Sequence, residues 1–473
     1  MKTRIKGLWL ILLLCLTFTI QAQDSTSYTL QKCIDIALQN NQAVTIAGLQ
    51  VQSSSSTLQQ ARASALPYVS GYANQGISTG KSINPYTNAF INQEVNTGQY
   101  GLNAGLTLFN GFNTINTMQQ SAFNHKANKM DYEQVKIDIS IQVTLAYLLI
   151  LSNEELVNQA NSQMATTQVQ LDRLKVLQQN NAVSPSVLYD TRGQLANDKL
   201  NLINTKAALV TAKLSLAQLL NLSFSSTTKF EKIATDLEIA QPLMKEELYS
   251  NIQNTIPGVE SSNYRKISAL KGLHAARGAM LPTLTLNGSL ASNYSSAALL
   301  QRVSRVYNVA SNDYVYVGGN PSPVYATQYE YQNEKIAFNN QIKNNFNTYI
   351  GLSLQVPLFN ALKNKTQADL AKIKYKQFDV QQKSTGIRYK TVIEQTGNDL
   401  ANAFERYTII KEQVGDYGES FRIATAKFEK GAITSFEYIS SKTNYEKAKA
   451  NLISSQYDYI LRQKILDFYA KVL

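Results

Sequence analysis

The sequence predicts a mostly α-helical fold with a small transmembrane β part, arranged as a duplicated helix–hairpin–long helix–helix repeat. Three observations predict it. Segments recur at a fixed offset, proline is confined to the ends of long periodic stretches, and ten-residue runs alternate apolar with small polar side chains.

Composition narrows the field first. The chain has 473 residues, 45 Lys+Arg against 33 Asp+Glu, 2 His, 2 Cys, 9 Pro and 22 Gly, and only 16% of it is charged. Apolar content of 44% with so little charge disfavours disorder, and a collagen-like or disulfide scaffold is excluded. No HExxH, CxxC, GxSxG or P-loop pattern occurs, and His125 and His274 each sit singly in polar helical stretches, which predicts a plain surface role for both. No cofactor or metal site is expected, and the chain does not read as an enzyme.

The first segment reads as an address. Lys2, Arg4 and Lys6 precede an apolar run from Leu8 to Ile20, followed by Gln21, Ala22 and Gln23. That is the pattern of a secretory signal peptide over 1–23, cut after Ala22 or Gln23, and it is too short to span a bilayer. Leu14 before Cys15 and Lys32 before Cys33 do not fit lipid attachment. Losing the three basic residues takes the net charge from +12 to +9 and leaves Cys33 alone, without a disulfide partner. The remaining positive charge is diffuse, and an exported chain is a poor nucleic-acid binder.

The repeat organises the rest. Leu108-Phe109-Asn110 recurs as Leu358-Phe359-Asn360, Ala182-Val183-Ser184 matches Ala432-Ile433-Thr434, and Lys199, Asn201, Leu202 and Ile203 match Lys449, Asn451, Leu452 and Ile453. All lie 250 residues apart. Upstream the offset is 215, where Ala61-Arg62 and Leu66-Pro67 match Ala276-Arg277 and Leu281-Pro282, so the second copy carries 35 extra residues between 282 and 359. The two repeats are placed at 24–242 and 243–473.

Each repeat opens with a helix, 30–66 or 245–281, that ends at Pro67 or Pro282. Two strands follow, 68–74 and 100–109 in the first copy, 283–292 and 349–358 in the second. A long helix comes next, 113–180 or 363–430, then a tight turn and a further helix, 186–221 or 436–471. Pro185 stands in the first turn, and no proline occurs in 358–473. Proline in a helix interior costs about 3 kcal/mol, so this placement marks helix ends. The long helices would span roughly 100 Å, about the summed length of the two shorter ones. Met118, Phe123, Met130 and Val135, and later Leu171, Leu174 and Leu177, read as a coiled-coil-like seam.

In 100–109, Leu102, Ala104, Leu106 and Leu108 alternate with Gly101, Asn103, Gly105 and Thr107. In 283–292, Leu284, Leu286 and Leu290 oppose Thr283, Thr285, Asn287 and Ser289, and 349–358 repeats the pattern with Ile350, Leu352 and Leu354. About ten residues with one greasy and one small polar face suits a tilted bilayer-spanning strand beside a wet lumen. Tyr68, Tyr72, Tyr100, Tyr294 and Tyr349 near the ends read as an aromatic girdle. A sheet in lipid cannot leave N–H and C=O groups unpaired, so four strands must close with sister copies. The arithmetic allows two, three or four copies. Segments 75–98 and 295–348 read as external loops.

This order of elements, the two helix-to-strand prolines and the stretch Phe428-Glu429-Lys430-Gly431-Ala432-Ile433-Thr434 followed by Glu437 resemble the TolC-like outer membrane efflux proteins, the channels of tripartite pumps and type I secretion systems. The resemblance covers about 28–473. It implies a homotrimer with a trimeric α-helical barrel and a shared 12-stranded β-barrel, set in outer membrane lipid with a long periplasmic extension. It also implies a periplasmic adaptor and an inner-membrane transporter of RND or ABC type as partners, and a passive exit duct for small molecules. A protein-secretion outlet, or a non-channel periplasmic coiled coil or adhesin, are the competing expectations. The family turn pattern is Gly, then Ser/Thr, then an acid, each three residues apart. Gly431, Thr434 and Glu437 fit it; Asn181, Ser184 and Val187 stand at the matching positions. The tips, Asn181, Val183, Ser184 and Pro185 with Gly431, Ile433, Thr434 and Ser435, are the expected adaptor-docking grooves. Glu437 and Asp190, one acid per copy, are the expected cation-attracting constriction, against a plainer role as helix-start acids.

Overall fold

The computed structural model describes residues 27–83, 88–92, 94–224, 228–233 and 256–470. The expected signal peptide, the repeat boundary at 242/243 and the first part of the expected 245–281 helix lie outside these residues. The described chain is mostly helical with a small β part.

Helix α1 (Leu30–Asn40) starts at Thr29, whose hydroxyl accepts the Lys32 N–H at 3.1 Å. The sequence predicts one helix over 30–66, but the chain breaks at Asn41. The Asn41 side chain accepts the Ala43 N–H at 2.8 Å and its amide donates to the Leu219 carbonyl at 2.9 Å. Asparagine's short amide competes for backbone groups and caps the next helix, α2 (Gln42–Ala63). Pro67 and Pro282 each immediately precede a strand, β1 (Tyr68–Ser78) and β5 (Thr283–Ser295).

The first segment expected to be external contains strands β2 (Lys81–Ile83) and β3 (Phe90–Asn92), followed by β4 (Val95–Asn110). Then come α3 (Asn113–Gln179) and α4 (Pro185–Leu220), both within one residue of expectation. Helix α5 (Pro257–Gly278) leads into β5. The second external segment is not a loop. It forms a long hairpin, β6 (Leu299–Val317) and β7 (Asn320–Lys335), then α6 (Phe338–Asn344) and β8 (Asn347–Gln355). Gly318 and Gly319, both at positive φ, make its turn. β8 stops short of the expected 358 because Pro357 has no N–H for the ladder and constrains Val356. Helices α7 (Lys363–Glu429) and α8 (Ser435–Ala470) complete the chain.

Contacts divide the chain into two compact units that cut across the repeats. One takes residues up to Ser55, Phe123–Ile267 and Lys376 onward; the other takes Ser56–Ala122 and Ser268–Tyr375.

The second unit holds an antiparallel sheet of order β1-β4-β5-β8. Its register pairs Leu102 with Leu290, Leu106 with Leu286 and Leu286 with Leu352, so the leucines share one face. Asn103, Ser289, Gly105, Asn287 and Gly351 occupy the other. Three of the five girdle tyrosines sit on that polar face rather than with the leucines: Tyr68 pairs with Gly105, Tyr72 with Gly101 and Tyr349 with Ser289. A Cβ at Gly101 would lie 2.7 Å from the Tyr72 ring, so the absent side chain is what lets the ring lie flat there. Tyr100 and Tyr294 do share the leucine face, where both rings pack on Phe338, at 5.9 and 5.2 Å between centroids. Below the sheet, Gly111 (φ +65°) and Gly278 cross backbone to backbone, and a Cβ on either would strike the other's carbonyl oxygen.

The first unit is helical. Its main core gathers Cys33, Val143, Tyr147, Ile150, Leu216, Leu220 and Ile460 from α1, α3, α4 and α8. The Tyr147 hydroxyl lies 2.8 Å from the carbonyl oxygens of Tyr28 and Glu231, which anchors the described residues 228–233 against that core. One window of α3 is long and apolar enough to cross a membrane, but 56% of it is buried inside the chain, as a core helix requires. The expected seam is real at its far end, where Leu171 and Leu174 pack with Leu188 and Leu195. His274 is exposed as expected. His125 is not a plain surface residue: it is half-buried on α3, with Nδ1 2.9 Å from the hydroxyl of buried Ser54 on α2.

Candidate functional site at the two helical turns

Both turns use the same backbone device. After α3, Asn181 adopts φ +55°, its N–H bonds the Gln178 carbonyl at 3.0 Å and the Ala182 N–H bonds the Leu177 carbonyl at 2.9 Å. After α7, Gly431 adopts φ +69°, with Gly431 bonding Phe428 at 3.0 Å and Ala432 bonding Lys427 at 2.9 Å. These are paired Schellman caps, in which a left-handed residue satisfies the orphan carbonyls of a helix end. Asparagine tolerates that conformation better than most side chains, so Asn181 does the work of Gly431.

The helix starts that follow differ. Thr434 and Glu437 form a capping box: the Glu437 N–H reaches the Thr434 hydroxyl at 3.3 Å, and the Glu437 carboxylate accepts the Thr434 N–H at 3.0 Å. In the first turn Ser184 accepts the Ser186 N–H at 3.4 Å, with Pro185 at the first helical position. Val187, in the place of Glu437, instead packs with Val183 against the Leu171, Leu174 and Leu188 cluster. One turn is closed by charge and the other by apolar packing.

The structure brings the two turns together. The Ser435 hydroxyl donates to the Asp190 carboxylate at 2.7 Å, and Arg173 pairs with Glu429 at 2.8 Å. Between them lies a cavity of about 460 Å3, lined on one side by Leu174, Leu177, Val183 and Val187 and on the other by Phe428, Ile433 and Thr434. Phe428 stacks on Tyr438 at 4.6 Å between centroids. Asp190 and Glu437 are both exposed. Sequence reasoning missed Arg173, which precedes its turn, and quoted Phe428 and Glu429 only as part of the turn stretch, without a role in the groove.

A second polar assembly, also missed, lies in the interior of the same unit. Lys442 on α8 and Asp198 on α4 are almost fully buried, with side-chain exposures of 3% and 1%, and their charged atoms are 3.4 Å apart. Thr167 on α3 bonds both. Gln163 and Gln194 donate to the other Asp198 oxygen, each at 2.9 Å. Glu446 pairs with Lys442 at 3.4 Å, and burial pushes its carboxyl up to about 7. One Glu446 oxygen and the Gln159 side-chain oxygen are buried without a partner among the described residues.

Comparison with known proteins fits this architecture. Among solved structures, the VceC outer membrane protein of Vibrio cholerae aligns with a TM-score of 0.73 at 13% identity, covering 93% of this chain and 96% of that one. The CmeC outer membrane channel of Campylobacter jejuni aligns at 0.72 and 17% identity, covering 94% and 85%. The open-state MtrE outer membrane channel of Neisseria gonorrhoeae aligns at 0.67 and 17%, covering 94% and 88%. No curated protein sequence matches the chain. The sequence model described as outer membrane efflux protein matches residues 33–222 and 248–469, most of both repeats. The chain belongs to the outer membrane efflux protein family and is a protein of the outer membrane.

Proposed function

We propose that this protein is the passive exit duct of a tripartite efflux pump, carrying small molecules from a periplasmic adaptor and inner-membrane transporter to the exterior. One observation carries the reading. The β1-β4-β5-β8 sheet has a leucine face, an opposite face of small polar residues and three tyrosines, and two edges, β1 and β8, that are unpaired among the described residues. In lipid such edges are untenable, since every backbone group must be paired. Sister copies supply the missing pairs, and three copies give the twelve strands of a closed barrel large enough to hold water. The chain needs no reaction chemistry of its own; energy enters through the transporter. The turns, Asn181 to Pro185 and Gly431 to Ser435, offer the adaptor a half-apolar groove between them. Asp190 and Glu437, repeated around the ring, form offset circles of negative charge that draw cations to the entrance.

Planar-bilayer recording on the detergent-extracted oligomer tests both parts. Ion-conducting channels of trimer mass are expected. Asp190→Asn with Glu437→Gln should at least halve the preference for cations. Glutamine keeps the capping box, so the loss reports charge rather than the turn. A monomer that needs no detergent overturns the duct, and unchanged selectivity overturns the acidic entrance alone.

A further inference from the structure

The hairpin of β6 and β7 has two unlike faces. Its register pairs Val303 with Tyr331, Val306 with Tyr329, Ala310 with Tyr325, and Tyr314 and Tyr316 with Pro323 and Pro321. Directly paired residues share a face, and residues two apart along a strand share it too. Tyr314, Tyr316, Tyr325, Tyr329 and Tyr331 therefore all project from one side. The opposite side carries Arg305 paired with Glu330, and Arg302 bound to Glu334 at 3.1 Å, together with Tyr307, Val309, Val315 and Val317, so it holds one tyrosine against five and most of the charge. The five tyrosines are 53–75% exposed. Together they present roughly 600 Å2 of amphipathic ring surface, as large as the biggest patch an ordinary monomer shows. A two-stranded ribbon with such a face is marginal in water by itself.

We infer that this tyrosine face lies on the lipid headgroup layer of the outer membrane. The inference rests on the outer-membrane setting and on the part of the proposed function that puts the leucine face in lipid, not on the cargo or partners of the duct. Three features select this occupant. The hairpin springs from the end of β5, where Tyr100, Tyr294 and Phe338 already cluster on the leucine face, so its base is continuous with the membrane-facing surface. Tyrosine, with an apolar body and a polar tip, is the side chain of that interface. Both outer edges of the ribbon carry unpaired backbone groups, which bars the hydrocarbon but is satisfied among hydrated headgroups. Apart from Lys335 at the base of the ribbon, the paired charges Arg302, Arg305, Glu330 and Glu334 sit on the reverse side, toward water.

The test uses the full chain in nanodiscs of phosphatidylcholine doped with headgroup-spin-labelled lipid. Trp9, the chain's sole tryptophan, lies in the segment read as a cleaved signal peptide, so the processed chain supplies a silent background, checked by its lack of tryptophan emission. Two adjacent reporters, Tyr329→Trp and Gln328→Trp, look out from opposite faces. Quenching of the Tyr329→Trp reporter is expected to exceed that of Gln328→Trp at least threefold. Equal, water-like emission from both overturns the inference. So does a blue-shifted, unquenched Tyr329→Trp signal, which would put another protein surface over the face. Loss of the oligomer in either variant is checked by mass. Should one fail, Tyr325→Trp replaces Tyr329→Trp, or Ala326→Trp replaces Gln328→Trp, on the same face.

Discussion

Two residues at the turns separate backbone need from side-chain identity. A Cβ on Gly431 would meet nothing within 4 Å, so only its φ of +69° demands glycine. Gly431→Ala should therefore destabilise the turn by about 1 kcal/mol, the cost of a left-handed alanine, whereas Gly431→Asn should be near neutral because Asn181 already holds that conformation. Thermal melting with limited proteolysis at the turn measures both. The Asn181–Gly431 equivalence was legible in the sequence, because a fixed 250-residue offset laid one over the other. The bond from Ser435 to Asp190 was not, since it joins residues from different repeats and depends on how α4 and α8 are rotated.

At the scale of the element, proline exclusion made the four long helices readable almost to the residue, whereas the α1/α2 break was hidden because no proline marks it and the capping preference of Asn41 was the signal left unused. The Lys442–Asp198–Glu446 assembly was also hidden. With Thr167 it requires α3, α4 and α8 to present matching positions, and no single periodicity encodes that. It carries a pH signature. The Glu446 carboxyl is raised from 4.5 to about 7 by burial, with Asp198 raising it further and Lys442 and Lys449 opposing. A group that binds its proton more tightly when folded favours the fold fully below about 4.5, and that contribution fades as pH rises through about 7. Melting temperature relative to Glu446→Gln should thus fall between these limits, because glutamine is neutral throughout. A pH-independent difference refutes the assignment. Lys442→Met alone should be strongly destabilising, since it strands Asp198 in the interior.

For the whole molecule, the repeat fixes the order of elements but not which of them associate, because each compact unit takes segments from both copies. In the sequence, 295–348, which holds the 35 additional residues, reads as an external loop, although Val and Tyr alternation around Gly318-Gly319 is a hairpin signal. Among the described residues, β6 and β7 pair only with each other, in a sheet separate from the four-stranded one. Replacing Gln301–Asn333 with an Asn-Gly turn, between the paired Leu300 and Glu334, should leave oligomer mass and single-channel conductance within about 20% of the parent, as a two-residue turn suits such a pair. Collapse of the oligomer would mean that the hairpin is structural.

The unlike helix starts at Thr434 and Ser184 reach beyond the single chain. Duplication made two tips from one ancestor, yet one now ends in a carboxylate and the other in a valine. Around any closed ring of copies, these tips alternate. A ring of identical binders, one to each tip, would therefore never meet identical ground twice in succession: half would face the capping carboxylate of Glu437, and half Val187 with Asp190 one turn further on. Such a ring would bind in two ways at once, its symmetry halved on contact.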